Sequence, residues 1–139
     1  MELYLIIFTS KSYKAEQIYE SHKALFVELE KHFRLHLIHY TEVDSIPSNV
    51  YKMAFIADGC VSDIVIRNFS VFPYPITLLS DGQNNSLSAA LEIAAWVKSK
   101  DMRARIIHGT VFEMVKQVLF HHKAFAAKRK LKGKRIGLI

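Results

Sequence analysis

Short apolar runs alternate along this chain with longer stretches whose apolar positions recur every three or four residues. Few architectures accept that alternation. A run that is apolar at almost every position must be covered on both faces, which a parallel sheet flanked by helices provides and a sheet with one wet face does not. The runs fall at residues 3–8, 35–40, 51–57, 76–79, 105–108 and 135–139, with helices expected in the gaps. The pattern predicts an α/β chain, a three-layer sandwich around a doubly wound, mostly parallel sheet. A length of 139 residues fits one domain.

In the first helical segment Ala15, Ile18, His22, Leu25, Phe26, Leu29 and Phe33 share one stripe, so a helix with that face on the sheet is expected, His22 being a satisfied core or boundary side chain. A second long helix follows Asn84-Asn85-Ser86, residue types that cap helices, and carries Leu87, Ala90, Leu91, Ala94 and Val97. A shorter helix near residues 62–69 ends before Pro73 and Pro75. The last opens on Thr110-Val111-Phe112-Glu113, where Thr110 can bond the amide of Glu113 while Glu113 reaches back to the amide of Thr110.

Much of the net charge of +6 sits on Lys123, Lys128, Arg129, Lys130, Lys132, Lys134 and Arg135. Cations suit a helix C-terminus, and no aromatic-rich recognition motif accompanies them, so they are read as a solvated helix end and not as a nucleic-acid surface. The run at residues 3–8 is too short to cross a bilayer, and polar Thr9-Ser10-Lys11 follows it without a cleavage site. No membrane contact is expected. Cys60 is the single cysteine, which excludes an internal disulfide and makes the reducing cytoplasm the expected compartment.

Right-handed crossovers place every strand's C-terminal end along one edge of a parallel sheet, so a ligand site is expected among the loops at 9–13, 58–61, 80–86 and 108–110. The third of these, Ser80-Asp81-Gly82-Gln83-Asn84-Asn85-Ser86, sets an acid and several carboxamides beside a helix start. Asp81 disfavours phosphate, whereas carboxylate mixed with carboxamide suits neutral, hydroxyl-rich ligands such as sugars and polyols. The same residue types also build ordinary turns and caps.

Asp58 and Gly59 are expected to form a plain turn, and Cys60 to be a small buried hydrophobe, since nothing supplies it with a partner base. Seven histidines invite a metal site, but His36 and His39 would face opposite sides of a strand and His121 and His122 diverge around a helix. His108 alone reaches the ligand edge. No catalytic set and no metal site is expected within this chain.

Several flavodoxin-like and Rossmann-like relatives can be tested on these loops. A dinucleotide site needs a glycine-rich turn after the first strand, and Thr9-Ser10-Lys11-Ser12-Tyr13 has none. The same loop offers the hydroxyls of a flavodoxin phosphate cradle without its glycine. A response-regulator receiver would place its phosphoacceptor at Asp58 and its switch residue at Ser80, but the magnesium-binding acidic pair is missing and His108 stands where its lysine belongs.

The segment Asn84-Asn85-Ser86-Leu87-Ser88-Ala89-Ala90-Leu91-Glu92, preceded by Pro75-Ile76-Thr77-Leu78-Leu79 and followed by Ile106-Ile107-His108-Gly109, resembles the N-terminal domain of the L-fucose and L-arabinose isomerase family, especially its fucose-isomerase-like members. The resemblance implies a substrate-side domain of an aldose-ketose isomerase. In that family a divalent metal, usually manganese, is held by later domains, while the N-terminal domain closes over a sugar site of a neighbouring subunit. By position the resemblance makes Lys11, Ser12, Tyr13, Asn84, Asn85, Ser86 and Ser88 candidate sugar contacts, beside the loop's own Asp81 and Gln83. It implies no cofactor in this chain, Mn2+ in the complete protein, further domains after a cut near Ile139, and a homo-oligomer. The chain departs from the family at Ser88, where arabinose isomerases carry histidine, and at Asp58-Gly59-Cys60-Val61, where other members carry a Gly-Gly-Thr-Glu-like turn. A free-standing flavodoxin-like module binding a small polar ligand, or a regulatory domain, are the alternatives that the residues leave open.

Overall fold

The computed structural model describes residues 1–12 and 14–132. Within them five strands, β1 (Glu2–Phe8), β2 (Arg34–His39), β3 (Lys52–Ile56), β4 (Ile76–Leu79) and β5 (Ala104–Ile107), form one parallel sheet in the order β2-β1-β3-β4-β5. The expected run at 135–139 lies outside the described residues.

Pleating explains why the strands read as unbroken apolar runs. Along β1, Leu3, Leu5 and Ile7 turn to one face, and Tyr4, Ile6 and Phe8 to the other. The first face packs on α1 (Ala15–Ser21), α2 (Lys23–Glu30) and α5 (Val111–Leu131) through residues such as Ile18, Phe26, Met114 and Val118. The second packs on α3 (Ser62–Asn68) and α4 (Ser86–Ser99) through Val65, Ala90 and Ile93. Both layers are therefore apolar, and the whole is a three-layer, flavodoxin-like doubly wound sheet. The chain lays β2 on one side of β1 and β3 on the other, so the topological switch point lies between the C-terminal ends of β1 and β3.

The capping box of α5 forms as expected: the Thr110 hydroxyl accepts from the Glu113 amide at 3.1 Å, and the Thr110 amide donates to Glu113 at 3.3 Å. Lys128, Arg129 and Lys130 occupy its last turn. Among the described residues no helix is long and apolar enough to cross a membrane.

Four expectations are corrected. The first helical segment is two helices, broken at His22 (φ −121°, ψ 23°), and Ala15 is exposed instead of lying on a buried stripe. In α4 the buried positions are Ser86, Ala89, Ala90, Ile93 and Val97, so Leu91 falls on the outer side and is 56% exposed. The gap between β2 and β3 holds a 3-10 turn at Tyr40–Ser45 where a helix was expected. Cys60 is exposed, at the crest of a turn between buried Asp58 and buried Val61, and its amide, not its thiol, is held by Asp58.

Candidate functional site at the switch point

Two carboxylates anchor the loops at this edge: Asp58 joins the loops that leave β1 and β3, and Asp81 joins the β4 loop to the break between α1 and α2. Asp58, just past β3, is 6% exposed, and its Oδ2 accepts from the Thr9 hydroxyl at 3.1 Å and the Ser10 amide at 2.8 Å. Its Oδ1 accepts from the Cys60 amide at 2.9 Å. Burial by itself would push this carboxyl up, but donors from Ser10, Cys60 and Thr9 outweigh it and hold the group below its ordinary value. The Lys11 amide turns inward as well, to the Thr9 hydroxyl at 3.2 Å.

Gly59 closes the same junction. Its amide donates to the Asn84 carbonyl at 2.8 Å, and a Cβ at this position would meet the Asn85 Cβ at 2.9 Å. The glycine serves close approach between two loops, beyond the plain turn expected of it. Asn84 (φ 54°) and Asn85 (φ 61°) are both left-handed, a conformation asparagine tolerates better than most side chains. Neither caps α4: Asn85 stands at the N-cap with no side-chain hydrogen bond. Ser86 instead turns its hydroxyl to Ser80 at 2.8 Å, both residues being fully buried.

The second carboxylate, Asp81, bonds Nδ1 of His22, and the two side chains are 8% and 2% exposed. Gln83 completes the junction: its amide reaches Asp81 Oδ1 at 3.2 Å, and its side-chain nitrogen reaches Asp81 Oδ2 at 3.0 Å and the Ser21 carbonyl at 2.8 Å. The helix break follows from this. In an unbroken helix the Ser21 carbonyl would receive the Leu25 amide; here that amide goes to the His22 carbonyl at 3.1 Å and Gln83 takes Ser21. His108 steadies the far side through Nδ1, which donates to the Ser80 carbonyl at 2.8 Å.

Between the two junctions lies a cleft of about 350 Å³. Thr9, Lys11, Ser12 and Lys14 line it from the β1 loop, Gln17 and Glu20 from α1, His22 from the helix break, Asp58 from β3, and Asn84 from the β4 loop. Its size lies at the lower end of the range of small-molecule sites, about 300–1,000 Å³. A larger groove of about 930 Å³ between α2 and α5 is lined mainly by apolar side chains such as Val27, Val115 and Leu119 and offers few convergent polar groups.

Of the residues singled out in the sequence, Lys11, Ser12 and Asn84 line the cleft. Asp81 and Gln83 stand behind it, engaged with His22 and the chain at Ser21. Ser86 is sealed against Ser80, Asn85 is exposed beside Gly59, and Ser88 is exposed on the first turn of α4. Tyr13 lies outside the described residues. Sequence reasoning missed Thr9, Gln17, Glu20 and the part played by Asp58 and His22. An acid directly after an apolar strand, facing a Thr-Ser pair after another, was the available signal.

Among the described residues no three His, Cys, Asp or Glu side chains come together as a metal-holding group. The resemblance assigns manganese to later domains, and the described residues offer no such group to hold it here. Comparison with protein-family models, curated proteins and solved structures finds no match for this chain.

Proposed function

We propose that this chain is a sugar-binding α/β domain of the fucose-isomerase-like kind, taking a small, neutral, hydroxyl-rich ligand in the switch-point cleft and leaving any metal chemistry to other domains. The observation that carries this reading is the position of Asp58. In phosphate-binding α/β sites the loop amides after the first strand cradle the anion. Here Asp58 already occupies the Ser10 and Cys60 amides, so an incoming phosphate would meet a fixed negative charge instead of free donors. What remains to address a ligand is a mixed set: Lys11, Lys14, Glu20, and the neutral Ser12, Gln17 and Asn84. Such a set favours hydroxyl groups, which both donate and accept.

One observation favours the free-standing alternative: the cleft is lined from several elements of one chain. The two readings separate in amide NMR titrations with L-fucose, L-arabinose and xylitol. An isolated chain that saturates with a sugar or polyol, with shifts at Ser12 and Asn84, is a complete binding module. Binding that appears only when the chain is part of a larger assembly is the isomerase-type arrangement. Absence of binding in both settings would remove the cleft from consideration.

A further inference from the structure

The Asp81–His22 pair carries an inference that deepens the cleft reading and rests on it. His22 is 3% exposed, packed in a T-shaped contact with Phe55 (centroids 4.8 Å apart) and a tilted one with Phe26 (5.9 Å), and still lines the cleft. Its Nδ1 bonds Asp81. A carboxylate only accepts, so this nitrogen carries a proton.

Asp81 does not need a doubly protonated ring to be satisfied. Three donors converge on it: His22 Nδ1, the Gln83 amide at 3.2 Å and the Gln83 side chain at 3.0 Å. In a neutral ring with Nδ1 protonated, Nε2 keeps its lone pair. Among the described residues Nε2 has no partner. Nor is it a sealed orphan; the closed-off unpartnered side-chain atoms there are Ser62 Oγ and His122 Nδ1. Nε2 is thus neither bonded nor sealed on a residue that lines the cleft, and in the Nδ1–H tautomer it is an acceptor held by packing and by the half-buried Asp81 carboxylate.

We infer that His22 is a ligand-binding residue, its Nε2 accepting a hydrogen bond from a hydroxyl of the bound molecule, and that Asp81 is the positioning residue that fixes its tautomer. Gln83 and the helix break hold Asp81 and the ring in register. The ligand must therefore present an O–H at this point, which selects polyols and sugars over ligands that offer only acceptors, such as a phosphate dianion.

Nitrogen-15 NMR of the histidine rings, on the full chain with xylitol and L-fucose as probes, tests this. Expected are the Nδ1–H tautomer at His22 in the free chain, a saturable shift of its Nε2 with the polyol, and affinity lowered about tenfold in His22→Asn, the loss of one good hydrogen bond. The asparagine amide can still reach Asp81 from the Nδ1 side but lacks Nε2. A ring protonated at Nε2 in the free chain overturns the inference, and that result is read on the unmodified protein whether or not the variant folds. Polyol binding that shifts Ser12 and Asn84 but leaves Nε2 and the variant's affinity unchanged overturns the inference and spares the cleft reading. Failure of both probes to shift any cleft residue overturns both.

Discussion

The ends of β3 and β4 carry the same device and use it differently. Each strand passes into an aspartate at the ligand edge of the sheet, Asp58 buried and Asp81 half-buried. Asp58 spends its charge on backbone amides and a hydroxyl of neighbouring loops, so its junction is closed on itself. Asp81 accepts from one backbone amide, that of Gln83, but otherwise binds an imidazole and a carboxamide, and the imidazole has a second nitrogen left over. A carboxylate that binds backbone builds a frame; one that binds a two-headed side chain aims the other head. The cleft lies between a frame and an aimed group.

Breaking the frame has the largest expected effect. Asp58→Ala strips the acceptor from Thr9 Oγ1 and two amides, and a loss of about 3 kcal/mol in urea unfolding is expected where a set of buried donors goes unpaired. The matching change at the other end, Asp81→Ala, leaves His22 Nδ1 and Gln83 to find water at a partly open junction, and about 2 kcal/mol is expected. Equal losses would erase the distinction between the two ends.

The frame also has a pH signature. Because Asp58 titrates below its ordinary value when folded, its contribution is complete above the unfolded value and disappears as pH falls through the folded one. Stability should decline on acidification below the usual carboxylate range, about pH 4, and Asp58→Asn should flatten that part of the profile. An unchanged slope in the variant would mean that the donors on Asp58 do not favour its charge.

Smaller effects sharpen the picture where the loops touch. Gly59→Ala should cost about 1–2 kcal/mol, since its Cβ would press on Asn85, and should displace the amide signals of residues 84 and 85. For the buried Ser80–Ser86 pair, either alanine variant alone should cost about 1 kcal/mol, while the double variant should cost less than the sum. Additive losses would show that the two hydroxyls do not depend on each other.

Legibility in the sequence follows the range of the interactions. The strands could be read because both faces of each are buried by residues of one chemical kind, and the capping box because Thr110 and Glu113 are three residues apart. The helix break at His22 could not: no proline or glycine marks it, and its cause, the bond from Gln83 to Ser21, spans 62 residues. The phase of α4 is hard to read because Leu91 competes with Ala89 and Ile93 on a helix with apolar residues on several sides, where periodicity discriminates poorly. Of the site, the β1 loop and Asn84 were legible through residue type and strand-end position. Asp58 and His22 were assigned bland roles because their partners, Ser10 and Asp81, lie 48 and 59 residues away.

The claim that Asp58 stands where an anion would otherwise bind is tested most directly by titrating inorganic phosphate into the unmodified chain and into Asp58→Ala, following the Ser10 and Cys60 amides by NMR. The account predicts no saturable shift in the unmodified chain and a saturable shift of both amides once the carboxylate is gone. Phosphate that shifts those amides while Asp58 is in place would contradict it.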